Sequence, residues 1–218
     1  CPQNRALLSS LLAVPSLAGL AGGIISLSCQ GNSTSELDGV TLEDSREEDE
    51  FTGTAILSWK PVDDLLVYGS YSRGYKAGGY NLDRSALALP VAFNVNTIDP
   101  AALQFEEETV DAYEIGLKYQ ERMWGASLSL FRQEFSNFQL NTFNGSAYVV
   151  QNINGCDTDL GGLDRDNSGT TGACDADNIA PGVVSQGFEF EANLRPANSL
   201  VFTVGLTRAD TEFADNLV

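Results

Sequence analysis

The chain has 218 residues, 43% of them hydrophobic, with 30 acidic against 12 basic side chains and a formal net charge of -18. That acidic excess excludes a nucleic-acid backbone as partner, because such a partner needs clustered Lys and Arg. The lack of any His removes His-based general bases, nucleophile triads and His-ligated zinc, so no enzymatic activity is expected.

Residues 1–50 open on Leu7–Leu27, which is rich in small residues and interrupted by Pro15 and several Gly and Ser. It falls short of a transmembrane helix, and the spacing of Cys1 and Cys29 reads it as part of a disulfide-closed extracellular loop region. A Ser/Thr/Asn/Gly segment follows, then the acidic run Glu43–Glu50, a solvated stretch in which like charges will not pack.

From Phe51 the pattern becomes regular. Six strands are predicted, at about 51–60, 65–75, 109–119, 124–138, 186–195 and 200–213, from period-two alternation. Tyr113, Ile115, Leu117 and Tyr119 share one face of the third strand, opposite Ala112, Glu114, Gly116 and Lys118. The same holds for Trp124, Ala126, Leu128 and Leu130, for Phe188, Phe190, Ala192 and Leu194, and for Leu200, Phe202, Val204 and Leu206. The second strand is ambiguous, since Leu65, Val67, Gly69 and Tyr71 are little more apolar than Leu66, Tyr68 and Ser70.

The connections are sorted by length. Lys60–Asp64, Gln120–Met123 and Arg195–Ser199 are tight, whereas Lys76–Glu107 and Asn141–Val184 are long. Outer-membrane barrels show this asymmetry, with short periplasmic turns and long extracellular loops. Strands of about ten residues or more also suit a tilted membrane crossing better than a soluble sheet. Trp59, Tyr119 and Trp124 sit beside the short turns in the apolar phase, as interfacial aromatics do. The expected fold is therefore all-β, an antiparallel up-and-down transmembrane β-barrel segment of about six strands with long extracellular loops. Glu114, Lys118, Glu189 and Glu191 are expected to face its lumen. Because the smallest such barrels have about eight strands, residues 51–218 are read as a section of a larger one.

Tyr68-Gly69-Ser70-Tyr71-Ser72-Arg73-Gly74-Tyr75-Lys76-Ala77-Gly78-Gly79-Tyr80-Asn81 resembles a stretch of TonB-dependent outer-membrane receptors. Phe105–Lys118, Leu130–Gln139 and Ser185–Ala192 resemble the same barrel in the same order. The resemblance implies a 22-stranded-type barrel around a plug domain. It also implies import of a scarce nutrient, chiefly a ferric siderophore, powered through the TonB–ExbB–ExbD complex. No plug or TonB box is found within these residues. The implied partners are outer-membrane lipid and lipopolysaccharide, the TonB complex through a plug region, and the nutrient itself. Arg73, Tyr75, Lys76 and Tyr80 would lie at the extracellular rim, in reach of an anionic ligand. The plainer reading makes the tyrosines interface anchors and Gly74, Gly78 and Gly79 the shapers of the turn.

Four cysteines permit three pairings; Cys1–Cys29 and Cys156–Cys174 are favoured because each closes its own loop. Within the second loop, Asp164, Asp166, Ser168, Gly169, Thr170 and Asp175 follow calcium-loop spacing, with Asp where a longer Glu is usual. A weak Ca²⁺ site and a solvated acidic loop pinned by the disulfide both remain open. No cofactor is required. The alternative to the receptor is a secreted calcium-stabilised binding module, lectin- or adhesin-like.

Overall fold

The computed structural model describes residues 10–28, 41–83, 87, 99–144, 147–157, 174 and 176–218. The chain divides into two compact units.

The larger unit comprises Glu48–Ala77, Glu107–Gln139 and Asn152–Val218. Its centre is one antiparallel sheet of six strands: β1 (Gly53–Val62), β2 (Leu65–Lys76), β5 (Glu108–Gln120), β6 (Trp124–Ser136), β11 (Val183–Ala197) and β12 (Leu200–Phe213). Each long strand pairs with the next one in sequence, so the topology is up-and-down with no crossover. These are the six expected strands, at nearly the expected bounds.

The register settles the ambiguous strand. Leu65, Val67, Gly69 and Tyr71 of β2 pair with Tyr119, Leu117, Ile115 and Tyr113 of β5, which puts them in the apolar phase. That phase runs unbroken across the sheet. One row reads Trp59, Val67, Leu117, Leu128, Phe190 and Leu206. It is not a protein core: Phe202 keeps 54% and Leu206 56% of its surface exposed. A soluble sandwich would cover these side chains. Here they form a bare apolar face, which is stable only against lipid.

The edges of that face run obliquely to the ladder. Above the turn-side aromatics, the run of the phase uninterrupted by a charged or amide side chain ends at Tyr71 and Tyr113 on β2 and β5, one row lower at Leu130 and Phe188 on β6 and β11, and one row lower again at Leu206 on β12. At the turn end the edge descends the same way, from Trp59 through Leu65 and Tyr119 to Trp124, Leu194 and Leu200. The upper edge therefore shifts by about four residues over four strand steps and the lower by about six over five. With about 3.3 Å per residue and about 4.8 Å between strands, a level band then requires a strand tilt of about 30–40°. Membrane barrels tilt by about that angle. Strand inclination is thus written in where apolar side chains give way to charges.

Two elements depart from the expected loops. The stretch Leu7–Leu27 contains a helix, α1 (Pro15–Ser28), which lies in the smaller unit. Pro15 supplies a helix-compatible φ at its start, and Leu, Ala and Ile carry it across three glycines. Among the described residues no helix is long and apolar enough to cross a membrane, which has no bearing on strands. The expected loop Asn141–Val184 contains a hairpin, β7 (Phe138–Phe143) and β8 (Tyr148–Ile153). Its short alternating runs flank a turn in which Asn144 Oδ1 accepts from the Ala147 N–H at 3.0 Å. The fourth strand ends at Ser136 rather than at 138, because Asn137 takes a positive φ of 50° and turns the chain into that hairpin. Shorter strand pairs are β3 (Gly79–Tyr80) with β4 (Gln104–Phe105), and β9 (Gly155–Cys156) with β10 (Ile179–Ala180).

Candidate functional site: a polar inner wall and a charged outer rim

Alternation sends every second side chain of the large sheet to the face opposite the apolar band. Tyr68, Glu114, Lys118, Glu189, Glu191 and Thr203 gather there around one concave polar surface. The four residues expected to face the lumen are among them. Tyr68 donates a short hydrogen bond to Glu114, and the Lys118 ammonium stands 5.5 Å from the centre of the Tyr68 ring. The charges are therefore organised, with a phenol between carboxylate and cation. Close packing supports this wall: a Cβ on Gly116 would lie 2.5 Å from the Tyr68 ring, and one on Gly187 2.9 Å from the Phe131 ring. Each glycine is the direct cross-strand partner of the aromatic it admits.

At the tight turn between β5 and β6, Tyr119 and Trp124 stack with ring centroids 4.8 Å apart. Glu121 clasps both, accepting from the Tyr119 hydroxyl at 2.5 Å and from Trp124 Nε1 at 3.1 Å. Interfacial aromatics with their polar tips satisfied at the turn fit a membrane–water boundary.

The opposite end of the sheet carries the rim. Arg73 binds both oxygens of Asp111, at 3.0 and 3.3 Å, and lies 3.7 Å from Glu50. Tyr71 donates to the same Asp111 at 2.5 Å. Arg73 and Tyr75 share the phase of the apolar band, while Lys76 belongs to the polar inner phase. The rim residues expected to act together are therefore divided between two faces of β2. Tyr80 lies in the smaller unit (Cys1–Glu47, Gly78–Glu106 and Leu140–Gln151). There Gln104 donates to the Tyr80 hydroxyl at 3.3 Å and to Asp44 at 2.5 Å. Desolvation, followed by the charge of Asp44, raises the Tyr80 phenol above its ordinary value.

The Cys156–Cys174 disulfide is formed, as expected. Cys1, Cys29, Asp164, Asp166, Ser168, Thr170 and Asp175 lie outside the described residues. Among the described residues no cluster of metal-ligating side chains occurs.

Sequence reasoning did not find the asparagine knot at the base of the long loop. Asn154 accepts from the Asn137 N–H at 2.7 Å and donates to the Asn137 side chain at 2.5 Å, while Asn152 donates to its carbonyl at 2.8 Å. An Asn between two strand-like runs was the available signal.

The family model described as TonB dependent receptor-like, beta-barrel matches residues 30–217. The chain belongs to this family. It is an outer-membrane receptor barrel segment, and the family is one of receptors. Three solved structures show the likeness at low identity. The ferric yersiniabactin uptake receptor FyuA of Yersinia pestis has a TM-score of 0.48 and 19% identity over 76% of this chain and 19% of its own. The alcaligin outer-membrane receptor FauA of Bordetella pertussis has a TM-score of 0.48 and 15% identity over 79% and 24%. The FrpB iron transporter of Neisseria meningitidis has a TM-score of 0.46 and 16% identity over 75% and 20%. The chain thus spans about a fifth to a quarter of these proteins' length. No curated protein matches it.

Proposed function

We propose that the intact protein imports a scarce nutrient, a ferric siderophore before other classes, by transport coupled to the TonB–ExbB–ExbD complex. The observation that carries this reading is the family match over residues 30–217. The ligand class is proposed by analogy with FyuA, a ferric yersiniabactin uptake receptor, and FauA, an alcaligin outer-membrane receptor. The organised inner wall of Tyr68, Glu114, Lys118, Glu189 and Glu191 is consistent with a wet interior. Lys76, in the inner phase at the outer end of β2, is the cation this reading assigns to an anionic chelate. Arg73 and Tyr75 are reassigned to the membrane-facing rim.

Deleting the gene should slow growth under iron limitation and abolish uptake of at least one radiolabelled ferric siderophore from a panel. An uncoupler of the proton gradient should stop the uptake that remains in the parent strain. Uptake of cobalamin or a carbohydrate lost in place of iron would keep the receptor and overturn the ligand class.

A further inference from the structure

Among the described residues, three glycines carry the ring of the residue paired with them on the neighbouring strand. Tyr68 of β2 lies over Gly116 of β5, Phe131 of β6 over Gly187 of β11 and, within the smaller unit, Phe105 of β4 over Gly79 of β3. A Cβ at these glycines would come 2.5, 2.9 and 3.0 Å from the ring. What the three strand pairs share is a long connection. β2 and β5 are joined through Ala77–Glu107, β6 and β11 through Asn137–Gly182, and β3 and β4 through Asn81–Leu103. Across β1–β2, β5–β6 and β11–β12, which tight turns join, no described glycine meets the ring of its partner. There a Cβ on Gly125 would press on the Gln120 amide, and one on Gly205 would touch nothing within 4 Å.

We infer that these rings set strand register where the connection is too long to set it. A turn of two or three residues dictates which residues face each other, whereas a connection such as Ala77–Glu107 does not. Alternation rejects a slip of one residue, because every side chain would change face, but it tolerates a slip of two. Such a slip would keep the lipid face apolar and the inner face polar. The rings reject it. Moved by two residues, Tyr68 would fall on Glu114 or Lys118, and Phe131 on Ser185 or Glu189, none of which leaves the hollow of a glycine. The Tyr68 hydroxyl adds a second check, since it reaches the Glu114 carboxylate from its place over Gly116. The extracellular loops are thereby uncoupled from barrel alignment: they can lengthen or change for a new ligand while the strands beneath them stay in step.

The test traps register in the intact protein, expressed into the outer membrane and oxidised there. Leu128→Cys with Phe190→Cys reports the native β6–β11 pairing. Leu128→Cys with Phe188→Cys or Ala192→Cys reports a two-residue slip in either direction; native geometry forbids these links, since bridged Cα atoms lie within about 7 Å. Phe131→Ala should raise cross-linking of the slipped pairs about tenfold. Phe135→Ala, on the same strand and face but paired with Val110 and Val183, should not raise it. A second measurement leaves the rings alone. A Gly/Ser insert of about twelve residues between Asp63 and Asp64 gives β1–β2 a long connection with no ring over a glycine. Leu57→Cys with Val67→Cys or Tyr71→Cys, the slipped pairs there, should then cross-link about tenfold more. The same insert after Pro90, in a connection whose strands have their ring, should leave Val67→Cys with Ile115→Cys unlinked. Slip unchanged by Phe131→Ala, an equal rise with Phe135→Ala, or equal behaviour of the two insertions overturns the inference. If Phe131→Ala yields no folded barrel, the insertions decide.

Discussion

Tyr68 lies across Gly116 of the neighbouring strand, its hydroxyl reaching on to Glu114. The ring fills the space that any larger residue at 116 would take. Gly116→Ala should therefore destabilise the barrel by about 1–3 kcal/mol, the range for overpacking. Urea unfolding in detergent measures it. Pairing the change with Tyr68→Ala should recover part of the loss, and strict additivity of the two would show that the residues do not touch energetically.

Gly187 is placed more severely. A Cβ there would come 2.0 Å from the carbonyl oxygen of Arg208, a backbone atom that cannot swing aside. Gly187→Ala should cost more than Gly116→Ala and shift the β11–β12 pairing. Proteolysis at the 196–199 turn should rise in parallel; an unchanged digestion pattern would contradict the register.

The oblique apolar edge makes a position-dependent prediction within single ladder rows. Ile115 and Arg208 share a row, as do Tyr113 and Gln186. Within the second of these rows Tyr113→Arg, still on the lipid face, should cost about 1–2 kcal/mol, between the midplane and interfacial values. Gln186→Arg, already past the edge, should cost about 0–1 kcal/mol. Equal costs would mean that the band follows the rows and that the inferred tilt is wrong.

Much of this arrangement was legible in the sequence. Strict alternation in β5, β6, β11 and β12 gave the faces directly, and turn lengths gave their direction in the membrane. The second strand was not legible by itself, because Tyr68 and Leu66 are as apolar as Gly69 and Tyr71; only pairing with β5 fixed its phase. The rim divided for a related reason. Arg73, Tyr75 and Lys76 are neighbours in sequence, but a strand turns adjacent side chains to opposite faces. Contacts such as Arg73–Asp111 and Asn137–Asn154 join residues far apart or on either side of a hairpin, and spacing carries no trace of them.

Glu121 offers a local test at the turn. Glu121→Ala removes the acceptor shared by Tyr119 and Trp124, worth about 0.5–1.5 kcal/mol for each exposed bond at most. In a background with Trp59, and any tryptophan outside these 218 residues, replaced by Phe, Trp124 reports alone. Its fluorescence maximum and its quenching by a water-soluble agent should both change, and a constant spectrum would argue against the clasp.

The disulfide and the acidic loop can be tested together. Reducing Cys156–Cys174, separated by 18 residues, should expose the loop to protease while leaving the six long strands intact. The chain-entropy cost is about 3 kcal/mol for a loop of this size. If the Asp164–Asp175 segment holds calcium, EDTA should raise cleavage in the oxidised protein as well. Identical cleavage with and without EDTA leaves only the solvated acidic loop.

Among the described residues, strands β1 and β12 each have a neighbour on one side only. In water such an unclaimed hem of amides and carbonyls recruits other chains. In a hydrocarbon medium each unmet group costs several kcal/mol, and there is no solvent to relieve it. This ribbon is therefore unfit to be a finished object in its own bilayer: each of its two seams must be sewn to another strand before lipid can close around it.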